Sequence, residues 1–574
     1  MIIGGLQSCI KMNESLSTLD TGGVVISGYN NLVSAGTGFI GVATNSTVSA
    51  YQAAVLSGDS NSASGCYGLV GGGRLNCAAA DCTFIGGGCS NNVAGVYGII
   101  GGGYNHEICT GEGCSAILGG YCNTIDSDFS FIGGGCRNII AQCNCNVIVG
   151  GRDHCITGRL SFIGGGCQND IVGTTYGHTI AGGMGQCICT SNHDNTIGGG
   201  QNNKILCNIA NSTIAGGATN LICRTSGFDY GSTIGGGSAN CLITSACFST
   251  LSGGYHNNST AAFTFLGGGC KNTGSGAYST LAGGTFNTVA GACATVGGGK
   301  DNCIGSSGGS ATIAGGCCNC ALSSFSTVAG GCNNQAPGLF DFVGGGASNN
   351  SGYQSYATIG GGSLNSLVGF AATIGGGYCN VMTYSGGDYS TIAGGCRNCI
   401  NVNAATCRGN FIGGGELHCM IMSSYSTIGG GYSNYFCDSD TPSYCNRGCY
   451  GTIAGGLANI NNGSCYAFIG GGQQNCIDHS HSGGIIGGLT NKIIDSSYSF
   501  IGIGSSNCIN NTSYGTIVGG ASNCITGTCA GILGGYSNCV THNYSFAIGC
   551  NLTSTADCYT FMNNACVSGT TRTT

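Results

Sequence analysis

The sequence predicts an all-β fold, a parallel β-solenoid or β-roll with about 15–17 residues per coil. Three observations carry that expectation. Glycine supplies 116 of 574 residues while proline supplies only 2. A hydrophobic residue followed by two or three small residues recurs along the whole chain. An asparagine falls six positions after that hydrophobic residue in most copies.

Composition removes the competing classes. Collagen needs glycine at every third position with abundant proline, and proline is nearly absent here. Disordered chains are charged and poor in branched residues, whereas only 6% of this chain is charged and Ile, Val, Thr, Tyr and Phe are frequent. Glycine at tight turns within an all-β chain is the surviving reading. The formal charge is -7 and no basic stripe is present, so no nucleic-acid partner is expected. No apolar run approaches the roughly 20 residues of a membrane span, and no direct membrane insertion is expected. Met1-Ile2-Ile3-Gly4-Gly5 enters the glycine pattern at once, without the basic and apolar regions of a signal peptide.

The repeat has an internal grammar. Position zero is the hydrophobic residue before the glycines, and Ile85, Ile100, Ile132, Ile163, Ile197, Ile234, Ile374, Ile428, Ile469 and Ile517 are expected to form a core ladder. An aromatic often stands at minus three, as in Tyr67, Tyr97, Phe129, Phe248, Tyr278, Tyr356, Tyr498 and Tyr544, and threonine is common at minus one. Asn91, Asn138, Asn203, Asn302, Asn434 and Asn523 mark a plus-six asparagine ladder that would satisfy turn backbone groups. His106, His154 and His418 replace asparagine there and read as substitutions within a polar ladder. A second apolar residue sits at plus eight, as in Ile125, Ile156, Ile222 and Ile304.

A coil this short cannot hold a helical hairpin, and glycine inside helices costs about 1 kcal/mol each. It can hold two strands of about four or five residues and two tight turns. Stacking at about 4.8 Å per step would make a rod on the order of 160 Å. Residues 1–24 are expected to form an N-terminal cap and first irregular coil, 25–550 the glycine-rich repeats, and 551–574 a C-terminal cap. Within the last, Tyr559-Thr560-Phe561-Met562 is expected to cover the final coil. One narrow lumen is not expected to hide the residues at zero, plus eight and minus three together. The aromatic stripe is therefore expected in a core or an interface, and association of parallel chains follows.

The Tyr-Ser-Thr-Ile-Gly-Gly-Gly-x-x-Asn-x-Ile pattern resembles the head repeat of trimeric autotransporter adhesins and related viral or phage fibre modules. Good local matches are Tyr498-Ser499-Phe500-Ile501-Gly502 and Tyr544-Ser545-Phe546-Ala547-Ile548-Gly549. The resemblance implies a left-handed roll, a parallel homotrimer, and binding to glycans or a host or cell surface. The charged stalk and membrane-anchoring barrel of that family are not visible in this sequence, and its heads are poor in cysteine. A virion or extracellular fibre, assembled in a reducing cytoplasm, fits the pattern better.

The 43 cysteines favour fixed positions at plus seven and plus four. Cys303 with Cys320, Cys399 with Cys419, and Cys508 with Cys524 and Cys539 are the candidate stacked cysteines, close enough in neighbouring coils for disulfides. Irregular occupancy elsewhere favours cysteine as a small half-buried filler. Cys143-x-Cys145 and Cys317-Cys318-x-Cys320 fit structural zinc spacing poorly, and no metal or cofactor is expected. Gly297-Gly298-Gly299-Lys300 lacks the spacing and hydroxyl residue of a phosphate-binding loop.

Three function classes follow. The first is a non-catalytic structural fibre or surface adhesin. The second is an ice- or crystal-surface binder using rows such as Thr179, Thr196, Thr213 and Thr233. The third is a polysaccharide-active β-solenoid enzyme, for which Glu416, Asp438 and Asp440 lie in the least repetitive places.

Overall fold

The computed structural model describes residues 1–11, 22–109, 111, 113–224, 229–383, 387–401, 408–437 and 450–563. It divides into two units, Met1–Phe286 and Asn287–Thr574. Each is a parallel β-solenoid of stacked coils, and the described residues contain no helix.

In the first unit Phe84–Ile85 pairs in parallel with Leu69–Val70 before it and Ile99–Ile100 after it. Eight residues further round the coil, Asn92–Val93 pairs with Cys77–Ala78 and Glu107–Ile108. Between them runs a third ladder at plus four, made of single bridges from Arg74 to Cys89 to Tyr104. The second unit repeats the plan: Thr373–Ile374 lies between Thr358–Ile359 and Thr391–Ile392, and Val381–Thr383 pairs with Cys399–Asn401. Its bridge ladder runs from Ser363 to Tyr378 to Cys396.

Most of these strands are two or three residues long, shorter than the four or five expected. The corners explain the difference. Minus three and plus five both hold non-glycine residues in the left-handed region, as at Tyr97 and Ser90, each with φ 59°. Such corners turn the backbone out of the strand conformation. Longer strands survive at Val24–Tyr29, Phe39–Thr44 and Ala54–Asp59 in the first unit, and at Phe500–Ser505 and Thr516–Ala521 in the second.

The core is a narrow lumen, as the sequence predicts. Ile85, Ile100, Ile132, Ile163, Ile197, Ile234, Ile374, Ile428, Ile469 and Ile517 are fully buried, as are the plus-eight residues Ile125, Ile156 and Ile304. In-register pairing sets Ile85 against Ile100 and Ile125 against Ile140, so like side chains stack along the axis. One lumen thus takes both positions. It leaves the minus-three aromatics outside, with Phe129 and Tyr498 each 58% exposed. The zero and plus-eight residues thus share one narrow core, and that core does not also hide the aromatics, both as the sequence predicts.

At the amino end Ile2 bridges to Val25 and Cys9–Ile10 pairs with Leu32–Val33, so the first coil joins the stack. Residues 12–21, inside the expected expanded coil, lie outside the described residues. At the carboxyl end Thr560–Met562 pairs with Phe546–Ile548, setting Phe561 against Ala547. Thr560–Met562 therefore lies against the preceding coil as a further rung of the ladder. Residues 564–574 of the expected cap are outside the described residues.

Glycine is required at plus three. Gly88 has φ +93°, and a Cβ there would collide with the Gly103 carbonyl oxygen of the next coil and crowd the Asn91 amide at 2.7 Å. At Gly87, one residue earlier, the space around an added Cβ is open and φ lies outside the left-handed range. Gly88→Ala is expected to lower stability by about 3 kcal/mol or more, whereas Gly87→Ala stays within about 0.5 kcal/mol. Chemical denaturation of the two variants checks the contrast. Equal losses would show that plus three carries no special constraint.

Candidate functional surface

The interior is closed by two side-chain ladders. At plus six, the Asn91 amide nitrogen donates to the carbonyls of Gly87 in its own coil and Gly103 in the next, at 3.0 and 3.2 Å. The Asn91 backbone N–H donates to Asn76 Oδ1 at 3.0 Å, and Asn91 Oδ1 accepts from the backbone N–H of His106 at 3.0 Å. Asn138, Asn203, Asn302, Asn434 and Asn523 repeat the two carbonyl contacts, and each is buried. The asparagine thus satisfies the glycine turn of its own coil and that of its neighbour.

Histidine fits this ladder in one protonation state. His106, His154 and His418 accept through Nδ1 from the N–H of Asn123, Asn169 and Asn434, each at 3.1 Å. An accepting Nδ1 requires the neutral ring, and burial pushes all three imidazoles below their ordinary range.

A second ladder runs at minus two, where the sequence assigned no role. Ser130 Oγ accepts from the N–H of Asn146 at 3.2 Å, and Asn146 Oδ1 accepts from the N–H of Ser161 at 2.9 Å. His178 and Asn195 hold the same position in later coils, linked by a 3.4 Å bond from the Asn195 N–H to Nδ1. In the second unit Asp341 takes this place. Its Oδ1 accepts from Ala357 N–H at 2.9 Å, and its Oδ2 accepts from Gly338 N–H at 2.9 Å and the Ser351 hydroxyl at 2.6 Å. Burial outweighs those hydrogen bonds and pushes the Asp341 carboxyl up to about 6. The shared property of Ser, Asn, His and Asp at minus two is a side-chain acceptor reaching one coil onward. Recurrent serine before the threonine was the signal in the sequence.

Outside, the coils display parallel rows. The minus-three aromatics stack ring on ring: Phe248 on Phe263 on Tyr278 at 5.2 and 4.7 Å, Phe325 on Phe340 on Tyr356 at 4.8 and 5.0 Å, and Tyr425 on Tyr450 on Tyr466 at 5.2 and 5.4 Å. Ring planes in these stacks lie within 14° of parallel, so faces are covered by neighbours and edges point outward. Such stacking contributes about 0.5–1.5 kcal/mol per pair and offsets the left-handed backbone beneath it. The minus-one row carries Thr179, Thr196, Thr213, Thr233 and Thr250 in unbroken register over five coils.

The plus-seven row carries the cysteines. Cys303 pairs in register with Cys320, Cys399 with Cys419, and Cys508 with Cys524, which also pairs with Cys539. All seven are half-buried free thiols. The plus-four row includes Glu416, bridged to Cys396 and Tyr432 within the repeat, while Asp438 and Asp440 lie outside the described residues. Among the described residues no group of three His, Cys, Asp or Glu side chains is placed to hold a metal ion.

The ladders and rows together define a parallel β-solenoid repeat protein. No family model matches this chain, and no curated protein matches it.

Opposite pH responses follow for the two minus-two ionisable groups. Burial pushes His178 down to about 4 from 6.5, so its contribution to stability is complete above pH 6.5 and is lost as pH falls toward 4. Asp341 is raised from 3.8 to about 6, so its contribution is complete below pH 3.8 and is lost as pH rises through 6. Each effect is expected to be about 3 kcal/mol. His178→Asn should flatten the acid limb and Asp341→Asn the limb between pH 4 and 6, both read by denaturant midpoints across pH. An unchanged profile in either variant contradicts the assigned group.

Proposed function

We propose that this chain is a non-catalytic structural protein, a fibre component or surface adhesin, in which the coil stack is a scaffold and the outer rows are its working surface. The observation that carries this reading is the pair of internal ladders. Coil after coil, their buried side chains bond to the backbone of the next turn, a use that stabilises stacking. The resemblance of Tyr498–Gly502 and Tyr544–Gly549 to adhesin head repeats supports the same role. A virion or extracellular fibre is the setting proposed, with assembly in a reducing cytoplasm and glycans or a host surface as the contacted partner.

The chain is further proposed to associate with parallel copies of itself as a homotrimer. Support comes from apolar side chains left on the surface beside the longer strands. Ile26, Val42 and Leu56 are exposed in the first unit, and Ile486, Ile503, Val518 and Leu533 in the second. Rows of this kind favour burial against another chain. The monomer mass is 56.7 kDa, and light scattering is expected to return three times that value at micromolar concentration. A single monomer mass removes the trimer.

The threonine row supports a second reading as an ice- or crystal-surface binder. Thr179, Thr196, Thr213, Thr233 and Thr250 hold one register on successive coils, which sets hydroxyls in a regular line. Thermal hysteresis in the purified protein, abolished by Thr196→Leu with Thr213→Leu, is the outcome that would favour it. No hysteresis in the unsubstituted protein retires it.

A further inference from the structure

We propose that neighbouring coils carry a set of oxidisable thiol pairs, modification sites at which a small-molecule disulfide converts the reduced solenoid into a cross-linked one. The pairs are Cys207–Cys223 in the first unit and Cys303–Cys320, Cys399–Cys419 and one bond within the Cys508–Cys524–Cys539 row in the second.

Geometry is the first support. Cys207 Sγ lies 2.9 Å from Cys223 Sγ. The other pairs are direct partners across parallel strands. Adjacent strands run about 4.8 Å apart. That falls within the Cα separation of about 4.4–6.8 Å that a disulfide spans. Register makes the arrangement reproducible: plus eight is buried, so plus seven points outward on every coil, and two cysteines at plus seven in consecutive coils project side by side.

Reactivity is the second support. A thiolate is the attacking species in exchange. The Cys303 thiol is held down, to about 7, by the hydrogen bond from Cys320, and Cys508 is held down to about 7 by the one from Cys524. Cys399 is likewise lowered by Cys419. The donor of each pair moves the opposite way, because losing its proton would set two negative sulfurs together. The Cys303–Cys320, Cys399–Cys419 and Cys508–Cys524 pairs therefore each hold one attacking sulfur and one sulfur that keeps its proton until the first has reacted.

The chemistry balances with an oxidant such as glutathione disulfide. The Cys303 thiolate attacks one glutathione sulfur, forming a mixed disulfide and expelling the other glutathione as a thiolate, which takes up a proton. With Cys303 now neutral, Cys320 gives its proton to solvent and attacks the Cys303 sulfur. The Cys303–Cys320 bond forms and the second glutathione leaves. Two protein thiols lose two electrons and two protons, and one small disulfide gains them.

The closed bond joins consecutive coils through a loop of 18 residues, Cys303 to Cys320 inclusive, and it restricts the unfolded chain at the place where the solenoid would peel apart. A chain folded in a reducing compartment would thus keep its coils exchangeable and become locked on reaching an oxidising one.

The test uses the full-length chain, folded and reduced, then exposed to glutathione disulfide, alkylated under denaturing conditions and mapped as peptides by mass spectrometry. Linked peptides joining Cys207 to Cys223, Cys303 to Cys320 and Cys399 to Cys419 are expected, with one link in the Cys508–Cys524–Cys539 row and one thiol of that row still alkylated. Unfolding of the oxidised protein in guanidinium is expected to be at least tenfold slower than after reduction. Cys320→Ser should leave Cys303 as a glutathione mixed disulfide. Full alkylation of these cysteines in the oxidised sample, or links that join other cysteines at random, overturns the proposal whether or not that variant folds.

Discussion

The structure depends on one hydrogen-bonding arrangement, the plus-six side chain that closes its own glycine turn and the turn one coil away. Asn76 shows the whole device: its amide nitrogen holds the carbonyls of Gly72 and Gly88, and its Oδ1 receives the N–H of Asn91. Removing such a side chain would orphan the Gly72 carbonyl and the Asn91 N–H together, each costing about 1–3 kcal/mol, while the Gly88 carbonyl would keep the Arg74 N–H. Hydrophobic stacking supplies the driving force inside the lumen, but the isoleucines are non-directional. The asparagine fixes which turn sits above which. Where histidine replaces it, the ladder persists because Nδ1 can accept as Oδ1 does, at the cost of holding the ring neutral.

That constraint explains why so much of the fold was legible in the sequence. A position whose task only one side chain performs well repeats as one letter, and Ile at zero and Asn at plus six do so. The pairing of Cys303 with Cys320 was equally legible, since register follows directly from those two anchors. The minus-two ladder was hidden because its task is undemanding. Ser130, Asn146, His178 and Asp341 share only an acceptor within reach of the next coil, so the recurrent serine is broken by other letters that do the same task.

The aromatic row was legible as a stripe, but not the way its rings pack on one another. A stripe of Tyr and Phe reads as apolar surface to be hidden, yet Phe263 is covered by Phe248 and Tyr278 from its own chain. Coils above and below cover the ring faces, and the rings stay partly exposed. Sequence pattern sees periodicity along the chain, and the corner conformation that points these rings outward is set by the backbone at φ near 55°. The short strands have the same origin, since two left-handed corners per coil leave room for little else.

The ladders also separate length from register. Asn91 reaches back 15 residues to Asn76 and Asn459 reaches back 25 to Asn434, yet the two bonds measure 3.0 and 2.9 Å. Extra residues between one plus-eight strand and the next zero strand therefore leave the frame unmoved. Lengthening that arc costs only the slowly growing entropy of a longer loop. The solenoid is thus a chassis with a mounting point on every coil, where new peptide can be carried without re-engineering what holds the stack together.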